Sequence, residues 1–404
     1  MPQNPPVPIS DRVLIAGAGP VGLVAANVLA DAGVPVTVLE SEPRIPETLR
    51  ASTFHPPTLD MLDRFGAAER LVSMGLKAPR LQYRDRAGWQ VRFDFGAIAD
   101  LTRHPYRVQC EQFKLAQVLA GRLATRPGAM IEFSSTVTGV SQDGSRVTVE
   151  LDGPGGARRV TGSWLIGCDG GRSRVRESLG IVLEGFTWPE RFLVASTPFD
   201  FATVMPDLSE VTYFADPEEW FFLLRAPGVW RAMFPTRREE KDEEILSDAG
   251  VERRLQRAWR KDGRYEIAHR TLYSVHQRVA DTYRKGRAFI AGDAAHLNNP
   301  LGGMGMNGGI HDAINLADKL ARVLRGEAPV EELDRYERQR RPIALEYVNT
   351  ITIANKKNLE ERDPAERRRW QASMDRAASD PASMREYLKR VSMITSLEKA
   401  AALA

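Results

Sequence analysis

The feature of this sequence that most constrains its fold is a glycine-rich turn between two short apolar segments. Gly17-Ala-Gly-Pro-Val-Gly22 follows the apolar segment 11–16 and leads into residues 21–32, which have a helix-forming composition and stop before Gly33. Residues 34–40 are again apolar and end in an acidic side chain. This order predicts a strand, a helix and a second buried strand, a βαβ unit of about 30 residues that requires a parallel sheet.

The turn matches the GxGxxG pattern of dinucleotide-binding units. We expect Gly17 to permit the tight turn, Gly19 to let a pyrophosphate approach the backbone, and Gly22 to let the helix pack on the strand. Unpaired N–H groups and the dipole at the helix start favour phosphates there. Glu40 ends the second strand, where its carboxylate can accept both ribose hydroxyls of an ADP group and would repel the 2′-phosphate of NADP. The unit predicts FAD or NAD; the alternative is a glycine turn that serves packing alone.

Charge and cysteine usage exclude several classes of function. The chain has 404 residues with 56 Lys+Arg against 53 Asp+Glu, and its formal net charge of +3 is too small to indicate nucleic acid or a charged membrane as a partner. The two cysteines, Cys110 and Cys168, match neither a CxxC pair nor a metal site. Residues 1–10 do not resemble a secretory signal, and no window is apolar enough for a transmembrane helix. We expect a cytoplasmic protein without a bound metal.

The rest of the chain predicts a mixed α/β fold. Residues 57–71 and 112–123 have amphipathic helical spacing, residues 131–151 predict hairpin strands around Asp143-Gly144, and the aromatic-rich region 186–275 predicts a separate antiparallel sheet. We predict a Rossmann-type dinucleotide-binding domain, an inserted antiparallel-sheet substrate domain and a helical C-terminal region. The boundaries are 10–79, 100–185 and 276–330 for the discontinuous first domain, 80–99 and 186–275 for the substrate domain, and 331–404 for the helical region.

Two further segments place an aspartate directly after a predicted strand. Asp169 follows the strand 164–168, and Asp293 follows the strand 288–291 and precedes a glycine-rich loop that ends at Asn307. Side chains at the carboxyl ends of parallel strands line the ligand crevice of such sheets. The glycines of the loop let backbone N–H groups approach a flat polar ring edge. The alternative role for both aspartates is to cap a following helix.

Together these motifs resemble those of the single-component FAD-dependent aromatic hydroxylases of the para-hydroxybenzoate-hydroxylase type. The resemblance spans residues 11 to about 325, and the pair of motifs around Asp169 and Asp293 is far more specific than GxGxxG. It implies an FAD-binding domain in which Glu40 binds the adenosine ribose, Asp169 lies near the pyrophosphate and Asp293 binds the ribitol. The loop from Pro300 to Asn307 would lie along the isoalloxazine ring. The other residues matched to FAD positions are Gly303, Gly305, Met306, Asn307, Arg44, Arg50 and Gln109, with Arg44 equally well explained as a surface arginine.

The resemblance also implies an activity. NAD(P)H would bind transiently and reduce FAD, and O2 would then form a C4a-hydroperoxide that hydroxylates a phenolic or heteroaromatic ring. No second GxGxxG is present, which disfavours disulfide reductases and Baeyer–Villiger enzymes with two nucleotide domains. The Trp-x-Trp-x-Ile-Pro element of flavin halogenases is absent. The protein's part would be to position the ring and to exclude water.

Substrate-contacting residues are harder to identify from sequence. His55 is a candidate base for a phenol, and Tyr213 a candidate hydrogen-bonding partner of it. Arg225 follows an aromatic strand and is a candidate for pairing with a substrate carboxylate. Pro300 begins the loop expected beside the flavin, and His296 is expected to orient that loop. For Tyr213 and Arg225 the alternatives are a core tyrosine and an exposed salt bridge.

Three functions remain open at this stage. The first is the NAD(P)H-dependent monooxygenase, with a small aromatic substrate and O2 as partners. The second is a flavin-dependent reductase or dehydrogenase of the same fold that acts without oxygen insertion, and the third is a flavin-binding protein without turnover. The tail from residue 331 is expected to cap the FAD-binding domain, with dimerisation as the alternative, so the chain is expected to be a monomer or a homodimer.

Overall fold

A computed structural model describes residues 12–47 and 51–403. The expectation for Arg50 therefore lies outside the described residues. The strands are β1 (Val13–Ala16), β2 (Val36–Leu39), β3 (Thr53–Phe54), β4 (Leu76–Ala78), β5 (Arg80–Asp85), β6 (Gln90–Asp94), β7 (Arg107–Gln109), β8 (Ala129–Glu132), β9 (Thr136–Gln142), β10 (Val147–Asp152), β11 (Arg158–Gly162), β12 (Trp164–Gly167), β13 (Leu183–Thr197), β14 (Val211–Ala215), β15 (Phe221–Ala226), β16 (Val229–Pro235), β17 (His269–Ala280), β18 (Arg284–Lys285), β19 (Ala288–Ile290) and β20 (His296–Leu297).

Helices lie between the strands along the chain, and six of them end the described part. They are α1 (Pro20–Asp31), α2 (Pro56–Leu62), α3 (Ala67–Met74), α4 (Gln112–Leu123), α5 (Arg174–Ser178), α6 (Asp242–Leu246), α7 (Asp248–Ala258), α8 (Met304–Leu324), α9 (Asp334–Glu346), α10 (Thr352–Glu360), α11 (Pro364–Ser379), α12 (Pro381–Val391) and α13 (Ile394–Ala402). No helix within the described ranges is both long and apolar enough to cross a membrane.

The first βαβ unit forms as its sequence predicts, and it sits at the centre of a six-stranded sheet. The strand order is β18-β19-β12-β1-β2-β8, and all neighbours are parallel except the edge pair β18 and β19. β1 and β2 are buried throughout, because helices cover a parallel sheet on both faces. The carboxyl ends of β1, β12 and β19 are neighbours, so the segments that follow them meet at one edge.

An eight-stranded sheet forms the second layer, in the order β20-β17-β13-β16-β15-β14-β5-β6. It is antiparallel as expected, apart from the parallel pair β14 and β5. Its two faces bury separate hydrophobic clusters: Tyr213 and Phe222 belong to one, and Phe214 and Phe221 to the other. This alternation follows from the two-residue period of a strand. The α/β fold class is confirmed, and the domain boundaries given above stay a proposal.

A small three-stranded sheet, in the order β3-β7-β4, connects these two layers. Thr53 pairs with Gln109 and Phe54 with Val108 in an antiparallel register. The register, continued by one residue, places His55 beside Arg107. Since alternate residues of a strand share a face, Thr53, His55, Arg107 and Gln109 lie on the same face of this small sheet.

Three local predictions need correction. The helix expected over 57–71 is two helices, α2 and α3, because Gly66 between them adopts a left-handed backbone with φ of 65°. The hairpin around Asp143-Gly144 is present as β9 and β10, but Ile131 belongs to β8 in the parallel sheet. The glycine-rich loop expected to extend to Asn307 is shorter, because α8 begins at Met304 and takes in its last residues.

The C-terminal helices cover both layers. Helix α9 packs against α8, as expected for a cap on the nucleotide-binding part. Helices α11 and α12 instead pack against β6 and the short turn Phe95–Ile98, beside the eight-stranded sheet. The charged composition of the tail did not predict this second contact.

Candidate active site

The glycine turn after β1 is closely packed on one side and open on the other. Gly17 has φ of 98°, and a Cβ there would lie 2.5 Å from the carbonyl oxygen of Cys168 on the neighbouring segment. A Cβ on Gly19, by contrast, would have no neighbour within 4 Å among the residues that the structure describes. Gly22 has no space for a side chain against Gly17. The turn therefore packs tightly at Gly17 and Gly22 and leaves the backbone accessible at Gly19.

Glu40 lies next to this turn at the end of β2. Its side chain is buried, and its carboxylate accepts hydrogen bonds from the backbone N–H of Ala18 at 2.7 Å and of Glu42 at 3.0 Å. Arg44, four residues further on, is exposed. The carboxylate is thus held at the carboxyl edge of the parallel sheet, where the sequence placed it.

Asp169 and Asp293 follow the two neighbouring strands, but their surroundings differ. Asp169 accepts hydrogen bonds from the Ser173 hydroxyl and from the backbone N–H of Val175 at 3.1 Å, which is the capping contact named as the alternative. Burial raises the pKa of Asp169, and these hydrogen bonds oppose that rise. Asp293 is exposed on a short turn after β19. It therefore presents a carboxylate to the edge where β1 also ends.

The loop from Pro300 to Asn307 is fixed to the small sheet by one side chain. The amide nitrogen of Asn307 donates to the carbonyl oxygens of Thr53 at 2.8 Å and Gly303 at 2.6 Å, while its oxygen accepts from the His55 backbone N–H at 2.9 Å. Gly303 adopts φ of 70° at the start of α8. Gly305 and Met306 are half-buried in the first turn of this helix, as is Pro300 before the loop. Asn307 therefore joins the loop to the end of β3 by hydrogen bonds.

Two of the residues expected near a substrate meet at a single peptide of this loop. The backbone N–H of Gly302 donates to the Tyr213 hydroxyl at 3.1 Å, and Nε2 of His55 lies 2.8 Å from the Gly302 carbonyl oxygen. These residues come from the eight-stranded sheet and from the segment after β3. The structure thus brings His55, Tyr213 and the loop together.

His55 is completely buried, and its protonation state follows from its contacts. Burial lowers its pKa well below 6.5, and the nearby Arg107 guanidinium lowers it further. The ring is therefore neutral at neutral pH. Since a carbonyl oxygen only accepts, Nε2 carries the proton and Nδ1 carries the lone pair. Nδ1 has no hydrogen-bond partner within the described part of the chain.

Sequence reasoning missed three residues of this cluster. Arg107 lies close enough to the Tyr213 hydroxyl for the two groups to interact electrostatically. The Tyr83 ring stacks on Tyr213 at 5.2 Å between centroids, and the hydroxyls of Tyr83 and Tyr387 share a hydrogen bond of 3.0 Å. The sequence could have indicated Arg107, because it lies two residues before Gln109 in β7 and alternate residues of a strand share a face. Tyr83 and Tyr387 were not, since 304 residues separate them.

Arg225 lies elsewhere. It points to the face of the eight-stranded sheet opposite Tyr213, where it pairs with Asp200 at 3.2 Å and lies over the Trp230 ring. Its side chain is 43% exposed. The structure does not bring Arg225 to the His55 cluster. Arg225 instead forms an exposed salt bridge, the alternative named above.

A buried network of charged residues, Asp312, His296 and Arg340, contacts the helix that follows the loop. Asp312 in α8 is fully buried and accepts from His296 at 2.8 Å and from Arg340 of α9 at 2.7 Å. A nitrogen of Arg340 also donates to the Gly308 carbonyl oxygen at 3.3 Å. Burial alone would raise the pKa of Asp312, but Arg340 and His296 lower it overall. This arrangement fits the role expected for His296.

The described residues fit FAD. Gly19 leaves room for a pyrophosphate against the backbone, and the first turn of α1 has no side-chain cap that would compete for its N–H groups. The exposed Asp293 carboxylate lies at the same sheet edge. The Oε1 atom of Gln109 accepts a hydrogen bond from the Thr53 hydroxyl at 2.8 Å, while its buried Nε2 has no partner among the described residues. An amide donor therefore remains for a polar ring edge.

Comparisons with known proteins agree with this site. Residues 11–350 match a family model described as an FAD binding domain. The chain is 35% identical over 388 residues to para-nitrophenol 4-monooxygenase of Pseudomonas sp. (strain WBC-3), covering 94% of each. It is 32% identical over 390 residues to 6-hydroxy-3-succinoylpyridine 3-monooxygenase HspB of Pseudomonas putida (strain DSM 28022 / S16), covering 94% of this chain and 97% of that one. The crystal structure of p-nitrophenol 4-monooxygenase PnpA from Pseudomonas putida DLL-E4 matches with a TM-score of 0.89 and 33% identity, covering 97% of this chain and 98% of that one.

These similarities bear on the open alternatives. Both relatives and the solved structure are named as monooxygenases, and each aligns with nearly the whole of this chain. They favour oxygen insertion over the reductase and over the protein without turnover. The fold and the family expected from the three motifs are confirmed.

Proposed function

This chain belongs to the FAD-dependent aromatic hydroxylases, and we propose that it hydroxylates a single-ring phenol or hydroxypyridine beside the Gly302 peptide. The reaction uses NAD(P)H and O2: one oxygen atom forms the new C–O bond, the other leaves as water, and NAD(P)H supplies the electron pair. FAD, when bound, carries these electrons to O2 and supplies the oxygenating chemistry. The choice of a single ring rests on the substrates that the names of the two relatives state.

The observation that carries the proposal is the pair of contacts at Gly302. His55 and Tyr213 reach this peptide from two different sheets, at 2.8 Å and 3.1 Å. The loop that contains Gly302 is the one that resembles the flavin-lining loop of the family. Both contacts support a place for His55 and Tyr213 beside the ring that would carry the chemistry.

We infer distinct roles for the two side chains. The lone pair on Nδ1 of His55 accepts the hydroxyl hydrogen of the substrate, which raises the electron density of the ring. The pKa of His55 is low in the ligand-free protein, so its ring polarises the substrate O–H bond without taking up the proton. Tyr213 orients the loop through Gly302 and keeps its own hydroxyl hydrogen for the substrate. Burial of both groups excludes bulk water from the reacting ring.

The residues proposed to contact FAD are those that the sequence motifs predict. Gly17, Gly19 and Gly22 shape the pyrophosphate turn, and Glu40 is proposed to bind the adenosine ribose. Asp293 is proposed for the ribitol, while Asp169 supports the turn through its capping of α5. Isolated thiols support a cytoplasmic setting: burial raises the pKa of Cys110 to about 11 and also raises that of Cys168, so neither is reactive.

Tyr213→Phe tests the contact with the loop. The substitution removes the acceptor of the Gly302 N–H and leaves a buried donor without a partner, which costs about 1–3 kcal/mol. We expect kcat/KM to fall by about 10- to 100-fold, together with more NAD(P)H oxidised per product formed. The matched control is Tyr265→Phe on the opposite face of the sheet, whose hydroxyl donates to Trp259 at 2.6 Å. It should lower stability and leave kcat/KM unchanged; equal kinetics for both variants would remove the role of Tyr213.

The proposed function is tested with FAD-loaded protein and a panel of phenols, hydroxybenzoates and hydroxypyridines. Oxidation of NADH and NADPH is followed together with oxygen uptake. We expect one ring to accelerate both and to yield a hydroxylated product. The proposal fails when no ring accelerates either process although FAD remains bound.

A further inference from the structure

Arg107 is a buried cation without an anion. Its side chain is 1% exposed, and no carboxylate in the described ranges lies within ion-pair distance of it. Of the four other buried arginines in these ranges, Arg340 pairs with Asp312, Arg254 with Glu240 and Arg231 with Glu111. Arg176 forms no such ion pair but lies near the carboxylates of Glu177 and Asp169. An unpaired buried charge is costly, so a protein keeps one where a ligand completes it.

The contacts of Arg107 hold it in place without neutralising it. One terminal nitrogen donates to the carbonyl oxygen of Val391 at 3.1 Å, the end of helix α12. The guanidinium lies over the Phe95 ring at 5.3 Å and near the Tyr213 hydroxyl. The ionisable groups around it are His55 and three tyrosines, all neutral at neutral pH. The tyrosines are Tyr83, Tyr213 and Tyr387.

Arg107 also has unused hydrogen-bonding capacity, and so does its neighbour. Nε of Arg107 and Nδ1 of His55 are both buried, and neither has a partner among the described residues. The register of β3 and β7 puts these two side chains next to each other on one face. A positive donor and a neutral acceptor therefore stand side by side at the proposed site of the ring.

We infer that Arg107 binds the negatively charged oxygen of the substrate, so that this site takes aromatic anions in preference to neutral rings of the same shape. The inference rests on the proposed function for the place of the ring and adds the charge of the substrate. The anion supplies the charge that Arg107 lacks, and its field raises the pKa of the adjacent His55. A substrate with its charge on a carboxylate keeps the phenol hydrogen for Nδ1 of His55, whereas a phenolate has no such hydrogen and is held by Arg107 alone.

Helix α12 takes part in this selection. Its last carbonyl holds Arg107, and Tyr387 from the same helix stacks on Phe93 at 4.0 Å and shares a hydrogen bond with Tyr83. The C-terminal tail therefore supplies one wall of the anion site. This gives the contact between α12 and the eight-stranded sheet a function in substrate selection.

The test compares probes of equal size on FAD-loaded protein without NAD(P)H, so that no turnover occurs. 4-Nitrophenol is titrated above and below its own pKa, 4-nitrobenzoate carries the charge on a carboxylate, and 4-nitroanisole is the neutral ring. We expect the phenolate or the carboxylate to bind about 10- to 100-fold more tightly than the anisole. Whichever anion binds more tightly identifies the oxygen that Arg107 holds. Equal affinity for the anionic and neutral probes overturns the inference, and this arm requires no variant.

Variants then test whether Arg107 causes the preference for anions. Arg107→Met is expected to weaken binding of the anion by about 10- to 100-fold and binding of the anisole by less than about threefold, while Arg107→Lys keeps most of the preference. The control is Arg84→Met, on β5 next to Tyr83 but on the other face of the strand. It should leave all three affinities unchanged. An equal loss for anion and anisole in Arg107→Met would show a structural role and contradict the inference.

The outcome separates this inference from the proposed function. Selective anion binding without oxygen uptake on any ring would retain the anion site and remove the proposed hydroxylation. Hydroxylation with unchanged kcat/KM in Arg107→Met would retain the function and remove the anion site.

Discussion

Asp312→Ala is expected to lower the free energy of unfolding by about 3–5 kcal/mol, because it leaves the buried Arg340 guanidinium without a counter-charge. Asp312 is 0% exposed and receives hydrogen bonds from Arg340, His296 and the Gly292 backbone. Urea unfolding of the parent and the variant measures the difference. The substitution also removes the partner of His296 and frees Arg340, which donates to the Gly308 carbonyl oxygen. We therefore expect weaker FAD binding in the fraction of the protein that folds.

Asp318→Ala is the control for this prediction. Asp318 lies in the same helix and pairs with Arg64 at 3.1 Å, but its side chain is 48% exposed, so its ion pair contributes about 0–1 kcal/mol. Similar losses for the two variants would contradict the role given to the buried network.

The same network has a pH signature. The pKa of Asp312 is lower in the folded protein than its ordinary value of about 4. A depressed carboxyl pKa stabilises the fold above the unfolded pKa, and that stability is lost as the pH falls through the folded value. The parent should therefore lose more stability on acidification than Asp312→Ala does.

Gly19→Ala is expected to leave the fold intact and to weaken FAD binding by about 10- to 100-fold. The described part of the protein has room for this Cβ, since none of its atoms would lie within 4 Å and the backbone angles of Gly19 are ordinary. The added methyl group occupies the place where the pyrophosphate approaches the backbone, and N–H bonds to a charged group are worth about 1.5–3 kcal/mol. FAD affinity is measured by equilibrium dialysis, and thermal unfolding reports the stability of the apoprotein.

Gly17→Ala is the informative contrast, because it damages the protein itself. The new Cβ would lie 2.5 Å from the Cys168 carbonyl oxygen, and the residue would keep φ of 98°. We expect loss of both stability and FAD binding. Parental FAD affinity in Gly19→Ala would contradict the assignment of this turn to the pyrophosphate, whatever the result for Gly17→Ala.

Local sequence patterns predicted the individual strands and helices that depend mainly on neighbouring residues. The strand, turn and helix around Gly17 form within one or two residues of the expected bounds, and α4 has the expected ones. Periodicity does not show where a helix breaks, and the left-handed Gly66 divides a continuous amphipathic pattern into α2 and α3. The start of α8 was missed because glycines at the beginning of a helix read as a loop.

Some residues of the candidate site were likewise predictable from local sequence, and others were not. Motif residues such as Glu40 and Asp293 were identifiable because they follow buried strands in fixed order. Arg107 and Tyr387 come together only through tertiary packing across 280 residues of chain, so no window of sequence contains both. Arg225 was misplaced for a simpler reason: an aromatic strand buried on both faces gives no sign of which face an arginine takes.

Incorporation of labelled oxygen tests the central claim most directly. FAD-loaded protein, NAD(P)H and the ring that most accelerates NAD(P)H oxidation are incubated under ¹⁸O2, and the product is analysed by mass spectrometry. The account predicts a hydroxylated ring that carries one labelled oxygen atom, with O2 consumed in step with NAD(P)H. Turnover that proceeds without O2, or a product whose new oxygen is unlabelled, would contradict it.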